Sequence, residues 1–402
     1  MTDHLAPTPE DTPLLFQPLT LRGVTLRNRV VVSPMCQYTS HDGGPTDWHQ
    51  VHFGKFAVGG AGLVFGEETA IEPQGRKTYD CAGLWNDAHV AAYRRINAFI
   101  RSQGAMPGIQ LGHAGGKASC HGAQLDWAAL TPETARPGQP PWVGLAPSGK
   151  GAGWPRAREM DGSDIASQRA LWREATLRAA QADYAVLEIH GAHGYLLHQF
   201  LSAVTNRRTD GYGGDLQGRM RFVLEVTETV RAAWPTDRPV FFRMSAVDGK
   251  GGAWTMDDSV VLARELKARG VDVVDCSSGG ISGESDMPIV RRVPGYQVPF
   301  AERIRAEASI ATMAVGLITQ AHQAETILRN GQADLVALAR ELIWNPNWPA
   351  HAARELMGEQ AYRLLPPEYA HRLARRDAVA RLPINATGGS SSGEDDALTE
   401  TT

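Results

Sequence analysis

The stretch EIHGAHGYLLHQF, Glu188 to Phe200, places His190, His193, Tyr195 and His198 directly behind the apolar run ADYAVL. Imidazole and phenol groups at the end of a buried strand can hydrogen-bond a substrate oxygen and move a proton near neutral pH. The three imidazoles could also bind zinc, but no H-E-x-x-H helix accompanies them and no carboxylate follows at ligand spacing. No metal is therefore expected. Either His190 or His193 alone would read as a hydrogen-bonded structural histidine. Two of them in one strand-end loop, with a tyrosine two residues on, favour an active site.

The elements that must position these groups follow a regular pattern. Short apolar runs at 29–35, 62–68, 107–113, 184–190, 239–245, 271–278, 311–317 and 333–340 alternate with amphipathic segments such as 257–270 and 319–331. The latter opens on Thr319 as an expected N-cap and closes on Gly331. Eight near-continuously apolar strands, each followed by a helix, predict a parallel sheet closed into a (β/α)₈ TIM barrel. A doubly wound sheet is the alternative, and it fares worse because no G-x-G-x-x-G follows the first strand. In such a barrel chemistry sits at the C-terminal strand ends, where Cys36, Gln110, His113, His190, His193, Arg243 and Arg340 would converge on one mouth.

The rest of the chain frames that barrel. LLFQPLTLRGVTLRNR predicts a hairpin turning at Arg22-Gly23 that plugs the N-terminal end. Residues 1–13 are expected to be a flexible start and 14–381 a single barrel domain. An insertion at about 119–160, rich in proline and carrying Trp127, Trp142 and Trp154, reads as a packed lid. The Gly/Ser-rich and then acidic stretch 382–402 is expected to be a disordered tail. The 402 residues include 40 basic and 44 acidic side chains, net −4. That balance suggests a small-molecule partner rather than nucleic acid or an anionic membrane. No apolar run reaches the roughly 18 to 20 residues of a membrane helix. Four cysteines with no C-x-x-C pair argue against a disulfide framework or an iron–sulfur cluster and suit a cytoplasmic setting.

The stretches SPMCQYTSHDGGPTDWHQVHFGKFAVGGAGLV, QLGHAGGKAS, EIHGAHGYLLHQFLSAVTNRRTDGYGG and GGAWTMDDSVVLARELKARGVDVVDCSSGG together resemble the Old Yellow Enzyme family of flavin ene-reductases. The likeness runs from about Phe16 to Arg376, and SPMC with the short lid resembles the xenobiotic-reductase and thermophilic-like bacterial subgroup. The resemblance implies FMN, with NADPH (or NADH) as electron donor, and an activated alkene as substrate: an α,β-unsaturated carbonyl, a maleimide or a nitroalkene. Carried over position by position, it puts Ser33, Pro34, Met35, Cys36, Glu68, Gln110 and Arg243 around the flavin ring and Gly316, Ala339 and Arg340 at its phosphate. Tyr38, His190, His193 and Arg372 would meet the substrate, Arg372 from a neighbouring subunit of a homodimer or homotetramer. Tyr195 would be the proton donor, and His198 reads as structural. The chain departs from the family pattern at Glu68, Gly116, Gly218 and Ala339, so FMN affinity is the property most exposed to change. Two other readings are a flavin-binding or sensing protein without turnover, and a dienoyl-CoA reductase or amine dehydrogenase of the same superfamily. The latter carry an extra iron–sulfur domain for which this chain has neither room nor ligands.

Overall fold

A computed structural model describes residues 12–149 and 157–379. The stretches 1–11 and 382–402, and with them most of the expected flexible start 1–13 and all of the expected tail, lie outside the described residues, as do Trp154 and Pro155 of the lid.

Eight parallel strands form a closed barrel: β1 Val30–Val32, β2 Leu63–Ala70, β3 Met106–Gly112, β4 Val186–Gly191, β5 Val240–Ser245, β6 Val273–Ser277, β7 Ala311–Ala314 and β8 Leu335–Leu338. Each pairs with its sequence neighbour, and β8 pairs with β1 to close the ring. Most strands are shorter than the apolar runs that announced them, losing residues at one or both ends. β2 is longer, running past a bulge to Ala70.

Alternation along each strand sorts its residues between two cores. Val240, Phe242 and Met244 of β5, with Leu187, Ile189, Val274 and Cys276, join the large core beneath the helices. Phe241, Val186, Val273, Val31, Leu63, Phe65, Met313, Leu335 and Ala337 fill the barrel interior. The hairpin Leu19–Leu21/Val24–Leu26 closes that interior from below, with Leu26 buried in it and Leu19, Leu21 and Val24 packed against it. Arg22 takes a left-handed φ of 51° at the turn.

The helix expected from Thr319 begins later, over Ala321–Arg329. Gln320 is its N-cap and makes no side-chain capping bond. Thr319 instead spends its carbonyl on the Trp348 indole N–H at 2.7 Å, and that contact draws it out of the capping position. In the lid, Trp127 packs against Tyr38 with centroids 5.3 Å apart, and the Trp142 indole donates to the Gln74 carbonyl at 3.1 Å.

One buried clamp holds the loop after β4. His198 Nδ1 accepts from the Gly194 N–H at 2.8 Å, while Nε2 faces the Asp248 carboxylate at 2.8 Å, both side chains fully buried. The other Asp248 oxygen accepts from Ser202 Oγ and from the Ala253 and Trp254 amides. Burial alone would raise this carboxyl, but the donors from His198, Ser202 and Ala253 hold it below the ordinary aspartate range. Its stabilisation is present above the unfolded-state pKa and is lost as pH falls through the depressed folded value. Asp248→Ala strands four donors at once. It should lower unfolding free energy in urea by about 3 kcal/mol or more, since each buried donor left unsatisfied costs about 1–3 kcal/mol, and a loss under about 1 kcal/mol, the scale of an exposed pair, would mean the clamp does not hold this loop.

Candidate active site

The inward-facing parity that fills the barrel floor with apolar side chains continues upward into polar ones. Two residues beyond Val186, Phe241 and Val273 stand Glu188, Arg243 and Asp275; two beyond these stand His190, Ser245 and Ser277. The middle layer is a buried polar cluster. Arg243 lies 3.0 Å from Asp275 and donates to Ser33 Oγ at 2.8 Å, while Gln110 donates to Glu188 at 2.7 Å. Burial raises both carboxyls, and each feels the other across a hydrogen bond. Two buried carboxyls this close favour holding one proton between them over two charges, and the remaining negative charge balances Arg243.

The upper layer carries the opening motif. His190 is the last inward-facing residue of β4, and its Nδ1 accepts from the Ala192 N–H at 3.3 Å, which leaves its proton on Nε2. His193 is not on the strand but in the following loop, at a left-handed φ of 60° that a residue with a Cβ rarely adopts. Both sides of its backbone are held there. Its N–H donates to Ser245 Oγ at 3.0 Å, its carbonyl accepts from Lys117 Nζ at 2.6 Å, and its ring meets Ser277 Oγ at 2.7 Å. The His190 ring stands 5.2 Å from that of His193 and 5.0 Å from that of Tyr195. Burial, with the Arg243 charge adding to it, depresses both histidines well below their ordinary range, so they are neutral donors at neutral pH. Burial pushes the Tyr195 phenol well above its ordinary range, so it stays protonated.

The near wall is the segment after β1. Ser33 is buried and Pro34, Met35, Cys36 and Tyr38 are half-buried, with Tyr38 held at a φ of 55°. Burial, then Glu68 and Glu67, raises the Cys36 thiol well above its usual value, while the Glu68 amide bonds the sulfur. Cys36 is therefore a thiol rather than a thiolate nucleophile. Opposite, a cavity of about 380 Å³ opens over β7 and β8, lined among others by Arg243, Ser277, Gly316, Ala339 and Arg340. Gly316 has φ +126°, and a Cβ there would sit 3.0 Å from the Tyr296 ring. Only glycine fits. Arg243 Nε is buried without a partner, a donor left for something bound.

The structure thus gathers Ser33, Cys36, Tyr38, Gln110, His190, His193, Tyr195 and Arg243 around the mouth, with Gly316, Ala339 and Arg340 at the cavity. His113 is turned aside, bonded to Glu72 at 3.0 Å. Arg372 is exposed on the helix Pro367–Val379 and lines none of this cavity in its own chain. Sequence reasoning missed Glu188, Asp275, Ser277 and Lys117. A charged residue inside each of the apolar runs AVLEIH and VDVVDCSS is a signal that could have found the first two. Lys117, in a loop of small residues, gives none. Among the described residues no three His, Cys, Asp or Glu side chains cluster to hold a metal ion, and no helix is long and apolar enough to cross a membrane.

Residues 14–359 match the model of the NADH:flavin oxidoreductase / NADH oxidase family. NADPH dehydrogenase from Geobacillus sp. (strain WCH70) is 44% identical over 345 residues, covering 85% of this chain and 94% of that protein. NADPH dehydrogenase from Bacillus subtilis (strain 168) is 39% identical over 349 residues, 86% and 96% of the two chains. Among solved structures, morphinone reductase in complex with tetrahydroNAD superposes with a TM-score of 0.70 at 26% identity over 86% of this chain and 92% of that one. 2-Naphthoyl-CoA reductase superposes with a TM-score of 0.75, but at 22% identity it shows the fold alone, and this chain spans only 53% of its length. The chain, with this mouth at the C-terminal end of its barrel, belongs to the NADH:flavin oxidoreductase / NADH oxidase family, which is the Old Yellow Enzyme family, and is a flavin oxidoreductase.

Proposed function

We propose that this enzyme reduces carbon–carbon double bonds conjugated to a carbonyl or nitro group, maleimides included. Its cofactor is FMN and its electron donor NADPH, in keeping with the family and the NADPH dehydrogenases it resembles. The observation that carries the substrate reading is the arrangement of two neutral imidazoles and one protonated phenol around a single mouth, with ring centroids 5.0 and 5.2 Å apart.

The residues fit FMN. Gly316, Ala339 and Arg340 line a cavity suited to the phosphate, through close backbone approach and a guanidinium. The unpartnered Arg243 Nε and Gln110 suit the pyrimidine edge, where positive charge favours the reduced state. Ser33, Pro34, Met35 and Cys36 wall the ring. Bound FMN supplies the redox chemistry, taking two electrons from NADPH and delivering them to the substrate β-carbon.

The chain's own side chains do the rest. His190 and His193 donate hydrogen bonds to the substrate oxygen, and because both are neutral they bind it without protonating it. Their donors lie where negative charge develops. Tyr38 closes the wall with a further hydroxyl. Tyr195 gives its proton to the α-carbon, so one hydride and one proton add across the double bond. In a homodimer or homotetramer, Arg372, exposed on its helix, would reach the mouth of a neighbouring subunit. Four cysteines outside any disulfide suit a cytoplasmic setting.

The two half-reactions test these roles separately. Reduction by NADPH needs no proton at a substrate carbon. Tyr195→Phe should leave it nearly intact and slow enone reduction by about 10²- to 10⁴-fold; stopped-flow traces showing equal damage to both steps, with FMN bound, would sink the assignment. Replacing His190 or His193 should instead weaken binding of enones and phenols. Cys36→Ala should keep turnover while shifting the flavin potential, and loss of all activity with FMN still bound would make the thiol essential. Truncation from Pro366 should weaken both self-association and substrate binding, whereas unchanged oligomeric state and KM would leave Arg372 a solvated helix residue.

A further inference from the structure

β2 and β3 are out of step. Between Phe65 and Glu68 three positions of β2 pass against two of β3, since Phe65 pairs with Gly108 and Glu68 with Gln110. A one-residue bulge of this kind re-aims every side chain after it. Without it, the parity of Leu63 and Phe65 would turn Glu67 into the barrel. With it, Glu67 turns toward the helix Asp47–Val58, where it meets His49 Nε2 at 2.7 Å and accepts from the Gln37 amide at 2.8 Å. Glu68 turns in.

Glu68 is 6% exposed, and its Oε1 has no hydrogen-bond partner. The adjoining strand makes room for it, because a Cβ on Gly112 would lie 2.3 Å from that oxygen. The groups facing it are Glu67 on its own strand, Cys36 and Tyr38 from the loop after β1, Lys77 and Cys81 from the loop after β2, and Tyr195 from the loop after β4. Only Lys77 among them is a cation, and its own charge is disfavoured by burial. The site therefore holds a carboxyl without a full counter-charge, aimed into the mouth beside Cys36, Tyr38 and Tyr195, where it would face a bound flavin ring.

We propose that Glu68 is a redox-linked proton site of this enzyme, taking up a proton from solvent when the flavin is reduced and returning it when the substrate is reduced. This rests on the flavin site described above but not on the identity of the alkene. The balance is simple. Hydride from NADPH leaves NADP⁺ and adds one negative charge to the pocket; a solvent proton converts the Glu68 carboxylate to the neutral acid and cancels that charge. When the hydride passes on, Tyr195 protonates the α-carbon and regains its proton from water while the Glu68 proton is released, so one proton is consumed for each double bond reduced.

Burial, then the neighbouring Glu67, raises Glu68 from the ordinary 4.5 to about 8. Below that pH it is neutral in both redox states and takes up nothing. Above it the oxidised enzyme holds a carboxylate, and a negative charge arriving nearby raises its proton affinity further. The midpoint potential of the bound flavin should therefore fall with pH more steeply, by one proton per two electrons, above about pH 8.

The test is spectroelectrochemical titration of the holoenzyme between pH 6 and pH 10, without alkene, for the native protein, Glu68→Gln and Glu68→Ala. The native slope should steepen at alkaline pH and both variants should lose the break. A native slope with no break, or one unchanged in Glu68→Gln, overturns the proposal. Should the variants fail to retain FMN, redox-induced infrared difference spectra of the native enzyme at pH 9 decide the matter. A deuterium-sensitive carboxylic-acid band appearing on reduction supports the proton site, and its absence removes it. Failure of the enzyme to reduce enones would refute the proposed substrate class while leaving these outcomes unaffected.

Discussion

Putting a guanidinium inside a barrel is the constraint on which this site depends. Arg243 sits on the central layer of the interior, where an isolated charge would cost many kcal/mol. It is tolerated because Asp275 faces it in register on the next strand, at 3.0 Å. A second carboxyl, Glu188, would overcompensate the cation were it also ionised. Sharing a proton between Glu188 and Asp275 makes the cluster neutral and gives the otherwise orphaned Glu188 Oε2 and one Asp275 oxygen a partner in each other. Arg243 is left with an unpartnered Nε, and Glu188 orients Gln110 through its other oxygen. The same few contacts thus balance the interior charge and aim two donors upward.

From that layer the geometry of the mouth follows by strand parity. His190 stands two residues above Glu188 and Ser245 two above Arg243, so the strands that carry the charge cluster also place the histidine and the hydroxyl that anchors the next loop. His193 needs more than parity. Its left-handed backbone costs on the order of 1 kcal/mol or more, and Ser245, Lys117 and the His198–Asp248 clamp at Gly194 hold it from three sides. Neutral imidazoles suit a site that stabilises developing negative charge without donating a proton outright, which leaves proton transfer to the phenol of Tyr195.

Much of this was legible in the residues. Eight apolar runs, the hairpin and the strand-end motif were enough for the barrel and for the mouth, because hydrophobic alternation and strand termini are local properties. His198, read as structural, is fully buried between the Gly194 amide and Asp248. What could not be read was anything set by contacts between strands. The bulge in β2 leaves no mark in LVFGEETA, yet it decides which of two adjacent glutamates enters the barrel. Thr319 looked like a cap because capping propensity is local, and a tertiary contact with Trp348 overrode it. Lys117 reaches His193 only because two loops distant in sequence meet above the barrel.

Glu68 shows how far such a register effect can carry. A small side chain at this position would leave the flavin edge electrostatically plain, and the charge on Arg243 would then dominate the pocket's preference for the reduced state. A carboxyl that is neutral near pH 7 and ionised at higher pH adds a second, pH-dependent influence. In its neutral form it leaves the Arg243 contribution intact. In its ionised form it opposes both flavin reduction and the ionisation of Cys36 and Tyr195, all of which place negative charge in the same small volume. The bulge therefore does more than choose between two glutamates. By turning Glu67 out to His49 and Glu68 in to the mouth, it couples the redox state of the site to the proton concentration around it.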